Sequence, residues 1–240
     1  MTDGARYVQP RYDVTFFASV RHGRLDEVVQ WIEAAPELVS QCDYDGRTPL
    51  HIARTGAMAQ VIMNASLERG GRVLMTRDRT GETPLIAAMR DLTSDSESLA
   101  RILLVNGASL TDADNAGYTC VHWAAAAQCT QDGTGYALNV LRVMQAHDPG
   151  AFALAAQATS NDGETPLHLC DGFERAWCVE PLEAIARLLE EAGVSRDAVD
   201  KCGRTAGECF GATLASARRR QKVMEEELLA ARVAACAVTA

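Results

Sequence analysis

Apolar residues in this 240-residue chain fall into short groups, each sized for one face of a helix and parted from the next by a polar, glycine-bearing turn. The stretch "DVTFFASVRHGRLDEVVQWIEAAPELV" (13–39) predicts a helix, a turn at Gly23 and a second helix, with Phe16, Phe17, Val20, Val28, Val29, Trp31 and Ile32 as its apolar set. Further along, "LARILLVNGA" (99–108) and "IARLLEEAG" (185–193) predict apolar helices stopped by Gly107 and Gly193. Between such segments the chain returns to one phrase: "DGRTPLH" (45–51), "TGETPLI" (80–86), "AGYTCVH" (116–122), "DGETPLH" (162–168) and the degraded "CGRTAGE" (202–208). Its glycines, Gly46, Gly81, Gly117, Gly163 and Gly203, lie 35, 36, 46 and 40 residues apart. A catalytic motif is needed once, so a phrase written five times is building material.

Each part of the phrase has a physical reading. Gly supplies the positive φ of a tight turn and Thr caps a helix; Pro occupies the first helical position, where its missing N–H costs nothing, and Leu begins the buried face. Small residues follow in "HIAR", "IAAM" and "HWAAAA", which lets neighbouring helices approach closely, and a second apolar helix completes the unit. This order of turn, TPLH, short helix, second helix ending near LL-x-x-G-A and return to Asp resembles the ankyrin repeat, whose period is roughly 33 residues. Gly107 to Asp114 and Gly193 to Asp200 are each seven residues, the interval the family uses between helix end and next turn. The resemblance runs from about residue 13 to 235.

It implies an all-α ankyrin-repeat solenoid of about five repeats including caps: a flexible N-terminal segment (1–12), a capping repeat (13–42), repeats with inter-helix insertions (43–199), and a degenerate C-terminal cap with a terminal helix (200–240). Repeats begin near Asp43, Asp78, Asp114, Ser160 and Asp200. The excess length is expected between the helices of a repeat, as "RDLTSDSES" (90–98), "QCTQDGTGYA" (128–137) and "DGFERAWCVEP" (171–181). In this architecture those insertions share one edge, opposite the hairpin fingers. The first two read as loops that accept extra residues cheaply. The last holds Phe173 and Trp177 in a chain with only 5% aromatics, so it is either a cover for its own repeat or a partner site.

The resemblance also implies a non-catalytic protein-binding module that uses fingers and adjoining inner helices. The finger residues expected to project are Tyr44, Asp45 and Arg47; Arg79 and Glu82; Asn115 and Tyr118; Asn161, Asp162 and Glu164; and Lys201 and Arg204. Their mixed sign and two tyrosines suit a protein partner, and a charge of -9 with a pI near 5.1 opposes a nucleic-acid surface. No apolar run reaches the roughly 20 residues needed to span a bilayer, and the N-terminus lacks a signal-like stretch, so a reducing cytoplasmic or nuclear setting without membrane contact is expected. The eight scattered cysteines then read as small buried hydrophobes.

The chemical alternatives are weaker. Cys120 with His122, and Cys170 with His168, look like nucleophile and base, which would make a hydrolase; yet residues two apart on one helix diverge, and the resemblance implies that His51, His122 and His168 bond to structure. No CxxC or HxxxH pair offers a metal site and no P-loop or GxGxxG binds phosphate, so no cofactor is expected. In the last helix Leu214, Ala217, Gln221, Met224, Leu228, Ala231 and Ala235 recur at heptad-like spacing. That stripe is expected to pack on the last repeat of a monomer, with a dimerisation helix as the alternative.

Overall fold

The computed structural model of the chain describes residues 14–67, 73–127, 136–171 and 179–238. Of the eleven α-helices among these residues, ten stack in two layers. The inner layer holds α1 (Val14–Arg21), α3 (Pro49–Ile52), α5 (Pro84–Arg90) and α7 (Cys120–Ala126), followed by a 3-10 turn at His168–Asp171 and the start of α11 (Ala206–Val238). Outside them lie α2 (Leu25–Ala34), α4 (Gly56–Leu67), α6 (Ser96–Val105), α8 (Tyr136–His147) and α10 (Val179–Glu191). Each inner helix packs on the inner helix of the next unit and each outer helix on the next outer one, which is the solenoid expected from the sequence.

One continuous apolar core runs between the layers, from Phe16 and Val20 in α1 through Leu85, Met89 and Leu103 to Ile185 and Phe210. Helix-sized apolar groups therefore do what their spacing predicts, and Val29 and Trp31 are only half-buried at the margin. Helices α6 and α10 end as predicted: Gly107 and Gly193 take φ of 95°, and the amides of Ala108 and Val194 reach back to Leu103 and Leu189.

Three features differ from the sequence expectation. Helix α9 (Pro149–Gln157), capped by Asp148, follows the outer helix α8, so the extra length of that unit is not confined to the turn between its helices. The insertion at 90–98 folds back onto the preceding unit: the Asp95 carboxylate accepts the Gly56 amide at 2.6 Å at the start of α4, and the Thr93 hydroxyl donates to the Arg54 carbonyl at 3.2 Å. Helix α11 runs unbroken over 33 residues, so the degenerate cap and the terminal helix expected at 200–240 form one element. Its packing on the stack is carried by Phe210, Thr213, Leu214 and Ala217, while Gln221, Lys222 and Val223 are exposed.

Candidate functional site

The fingers form because an acidic or hydroxyl side chain opens each one. Asp43 Oδ1 accepts the amides of Asp45 and Arg47, each at 2.9 Å; Asp78, Asp114 and Asp200 do the same two and four residues on. Ser160 Oγ takes both roles at 3.2 Å, so serine can replace aspartate there. All five finger glycines have positive φ, between 78° and 86°.

Successive fingers are joined by one backbone bond at each junction: Arg79 to Asp45, Asn115 to Thr80, Asn161 to Ala116 and Lys201 to Asp162, all at 2.8–2.9 Å with the later residue donating. The histidines of the TPLH phrase add a second set of links. In His51, Nδ1 accepts the Thr48 amide at 3.0 Å, which leaves Nε2–H to donate to the Glu82 carbonyl at 3.1 Å. His122 spans Thr119 and Glu164 in the same way, and His168 spans Thr165 and Arg204. In the fifth phrase Glu208 stands in place of histidine and completes a capping box with Thr205.

The expected finger residues divide under this geometry. Tyr44 is 69% exposed, and the Arg79 guanidinium lies over its ring at 4.3 Å from the centroid, a cation–π pair held at the surface. Asp45 and Asp162 are exposed. Arg47 is partly exposed, with Asp43 and Asp45 holding its guanidinium at 2.9 and 2.7 Å. Asn115 and Asn161 are at the surface, yet their amides are engaged with the carbonyls of Arg79 and Asn115. Tyr118 is half-buried against His122 and Trp123 and donates to Glu164 at 2.6 Å. Burial, then the Glu164 carboxylate, push its phenol up to about 12.

Glu82 corrects the expectation that it projects. Its side chain is 3% exposed and turns inward to pair with Arg90, and burial raises its carboxyl above the ordinary range. Phe173 and Trp177 lie outside the described residues. The exposed residues of the described finger row therefore include Tyr44, Asp45 and Arg79 in its first two members and Asn161, Asp162, Lys201 and Arg204 in its last two, and of its two tyrosines Tyr44 is the exposed one.

The Cys/His pairs are built into the same framework. The Cys120 thiol donates to the Leu110 carbonyl at 3.4 Å, and complete burial pushes it up to about 12. Cys170 is buried and donates to the Pro166 carbonyl at 3.6 Å. His122 and His168 have both ring nitrogens engaged, as above. Iodoacetamide at pH 7.5, followed by peptide mapping, is expected to modify the exposed Cys42 and Cys202 in the folded protein and Cys120 and Cys170 only after unfolding. Selective labelling of native Cys120 or Cys170 would overturn this reading.

No family model matches the chain. Over 171 residues, 70% of its length, the chain is 33% identical to the B-cell lymphoma 3 protein of Homo sapiens, and the match takes in 34% of that protein. Over 108 residues, 45% of its length, it is 34% identical to 4% of the neurogenic locus notch homolog protein 1 of Mus musculus. The chain thus spans about a third of the first of these relatives and a small fraction of the second. Among solved structures, a chain from the complex of a predatory endopeptidase with an immunity protein of Bdellovibrio bacteriovorus superposes with a TM-score of 0.60 at 21% identity, covering 88% of this chain and 99% of that one. An ankyrin repeat domain from Acinetobacter baumannii AYE gives 0.58 at 19% identity, covering 87% and 94%. At these identities the structural likeness is one of fold.

Proposed function

Because the chain belongs to the ankyrin-repeat family, like its B-cell lymphoma 3 and Notch relatives, we propose that it is a non-catalytic module that binds a protein partner through its fingers and the adjoining inner helices. The observation that carries this reading is the finger ladder. Each finger is bonded to the next through backbone and, at Asn115 and Asn161, through side chains, so the row is ordered before any partner arrives and little conformational entropy is lost on contact. The exposed Tyr44–Arg79 stack on that rigid row joins two of the residue types enriched among interface anchors.

The absence of catalysis belongs to the same proposal. A general base needs a free lone pair, and in His51 and His122 Nδ1 accepts an amide while Nε2 faces a carbonyl. Burial also holds both imidazoles below the usual histidine range, His122 to about 4. Among the described residues no helix is long and apolar enough to cross a membrane.

The test is affinity capture with the purified chain, identification of the captured protein, and measurement of its binding to wild type and to a Tyr44→Ala/Arg79→Ala variant. Each anchor is expected to contribute about 1–2 kcal/mol, so the double variant should bind roughly a hundredfold more weakly. Tyr118→Ala does not discriminate, since Tyr118 is tied to Glu164 and its loss disturbs the stack itself. A double variant that folds and binds with unchanged affinity would remove the finger row from consideration.

A further inference from the structure

Between the first finger and the ends of the first three inner helices lies a depression of about 260 Å³, into which Arg21, Arg47, Arg54 and Arg90 converge over a floor that includes Ala87 and Leu99. A second hollow, of about 250 Å³, adjoins it and shares Arg21 and Arg47; its walls include Val14, Phe17 and the exposed Tyr44. Together they make one groove, basic at one end, with the apolar surface of Val14, Phe17 and Tyr44 at the other beside His22, Asp43 and Asp45.

Four arginines in one hollow are unusual in a chain of net charge -9. Their arrangement follows from the repeat. Aligning "VTFFASVR" with "RTPLHIAR" puts Arg21 and Arg54 at the same position of consecutive units, and Arg90 comes one residue later in the third. The corresponding region of α7 carries Ala125 and Ala126, so the row is confined to the first part of the stack. A basic residue at a helix C-terminus favours the helix dipole, which accounts for one arginine on each helix and not for their convergence.

The carboxylates nearby neutralise part of the basic end: Asp45, 54% exposed, pairs with Arg47 at 2.7 Å, and Asp91, 58% exposed, stands beside Arg90. Asp43 and Glu82, with side chains 8% and 3% exposed, sit behind Arg47 and Arg90 and hold them forward. Asp91 lines the hollow at 3.9 Å from Arg90. Arg21 and Arg54 are exposed, and neither side chain has an ion pair or hydrogen bond among the described residues. With Arg47 and Arg90 paired, Arg21 and Arg54 are the uncompensated charges of the hollow, and a guanidinium is the cation best shaped to grip a carboxylate with two bonds.

We propose that this groove receives an acidic segment of the partner protein, with Asp or Glu carboxylates on Arg21, Arg54 and Arg90 and an adjoining apolar side chain against Val14 and Tyr44. The inference rests on the protein-binding reading above and names the chemistry of the partner. A peptide fits better than nucleic acid because the basic surface is one short row on an acidic protein, with an apolar shelf beside it; a polyanion would need a longer track.

The probe is a fluorescein-labelled peptide, Leu-Glu-Asp-Glu-Glu-Asp-Glu, titrated by anisotropy with the full chain in 50 mM and 300 mM salt, beside its Gln/Asn counterpart and a labelled 12-nucleotide oligo(dT). Binding is expected for the acidic peptide alone and should weaken with salt. Arg21→Gln and Arg54→Gln should each lower affinity by about tenfold or more, and Arg101→Gln, on the opposite layer and paired with Glu97, should leave it unchanged. Circular dichroism confirms folding, which these exposed positions do not threaten. Equal binding of wild type and the Arg21→Gln/Arg54→Gln double variant, or tighter binding of oligo(dT) than of the peptide, would overturn the proposal. The two readings separate on the captured partner. If the Tyr44/Arg79 variant loses it while the arginine double variant keeps it, the finger reading stands and the groove falls. If the arginine variant alone loses both partner and peptide, the groove stands without the fingers.

Discussion

Gly81→Val is expected to lower the thermal midpoint by about 10 °C, far more than the same change at Gly203. Both glycines have positive φ, 81° and 78°, so both variants carry backbone strain of about 1–3 kcal/mol. They differ in what a side chain would meet. A Cβ at Gly81 would stand 2.8 Å from the Asn115 amide nitrogen and 2.4 Å from its side-chain oxygen, where the next finger rests on this one; at Gly203 nothing lies within 4 Å. The clash at Gly81 falls on backbone and on the bond from Asn115 to Thr80, so the fingers must separate. Strain, the lost bond and disturbed packing together reach about 3–4 kcal/mol, and a chain of this size loses about 2–4 °C per kcal/mol. Parallel thermal melts followed by circular dichroism check the pair. Coincident midpoints would mean that the fingers are not pressed together as described.

The contrast between these two glycines also marks what the sequence could and could not reveal. The turn, the cap and the buried leucine are local, and each has a residue type that only one conformation suits, so the five phrases could be read one at a time. Even Ser160 was legible as a repeat start, because a hydroxyl can accept the same two amides as a carboxylate. Side-chain direction at the position after each glycine was not. Arg47, Glu82, Tyr118 and Glu164 share that slot, but Arg47 turns to Asp43 at its own finger, Glu82 to Arg90 eight residues on, and Tyr118 and Glu164 to each other across 46 residues. Partner choice there depends on the unit next door. The same applies to Asp95, whose bond to Gly56 spans 39 residues with no local pattern to announce it. Helix α11 stayed continuous because nothing in "CFGATLASARRRQKV" breaks it: Gly211 is exposed, with open space where its Cβ would be, and no proline follows. The arginine groove was hidden for another reason: Arg21, Arg47, Arg54 and Arg90 belong to three units, and only the stacking of those units brings them to one hollow.

His122 should make the stability of the stack depend on pH over a defined window. Its ring is fully buried, accepting the Thr119 amide at 3.1 Å and donating to the Glu164 carbonyl at 3.2 Å, so only the neutral tautomer fits. Burial holds its pKa near 4 against 6.5 for an ordinary histidine. Between those values the unfolded chain binds a proton that the folded chain refuses, so stability is complete above about pH 6.5 and falls as the pH drops toward about 4. At 1.36 kcal/mol for each unit, the loss approaches about 3 kcal/mol, and His51, lowered by its own burial, adds to it in the same direction. Removing the ring has a different signature. His122→Ala strands the Thr119 amide and the Glu164 carbonyl, which should cost about 2–4 kcal/mol at pH 7 where the wild type is most stable. The variant has no imidazole to protonate at this site, so its profile between pH 7 and pH 4 should be flatter and the two curves should converge in acid. Urea midpoints measured at half-unit intervals decide the matter: profiles that stay parallel down to pH 4 would show that His122 is not the group whose protonation loosens the junction between the third and fourth fingers.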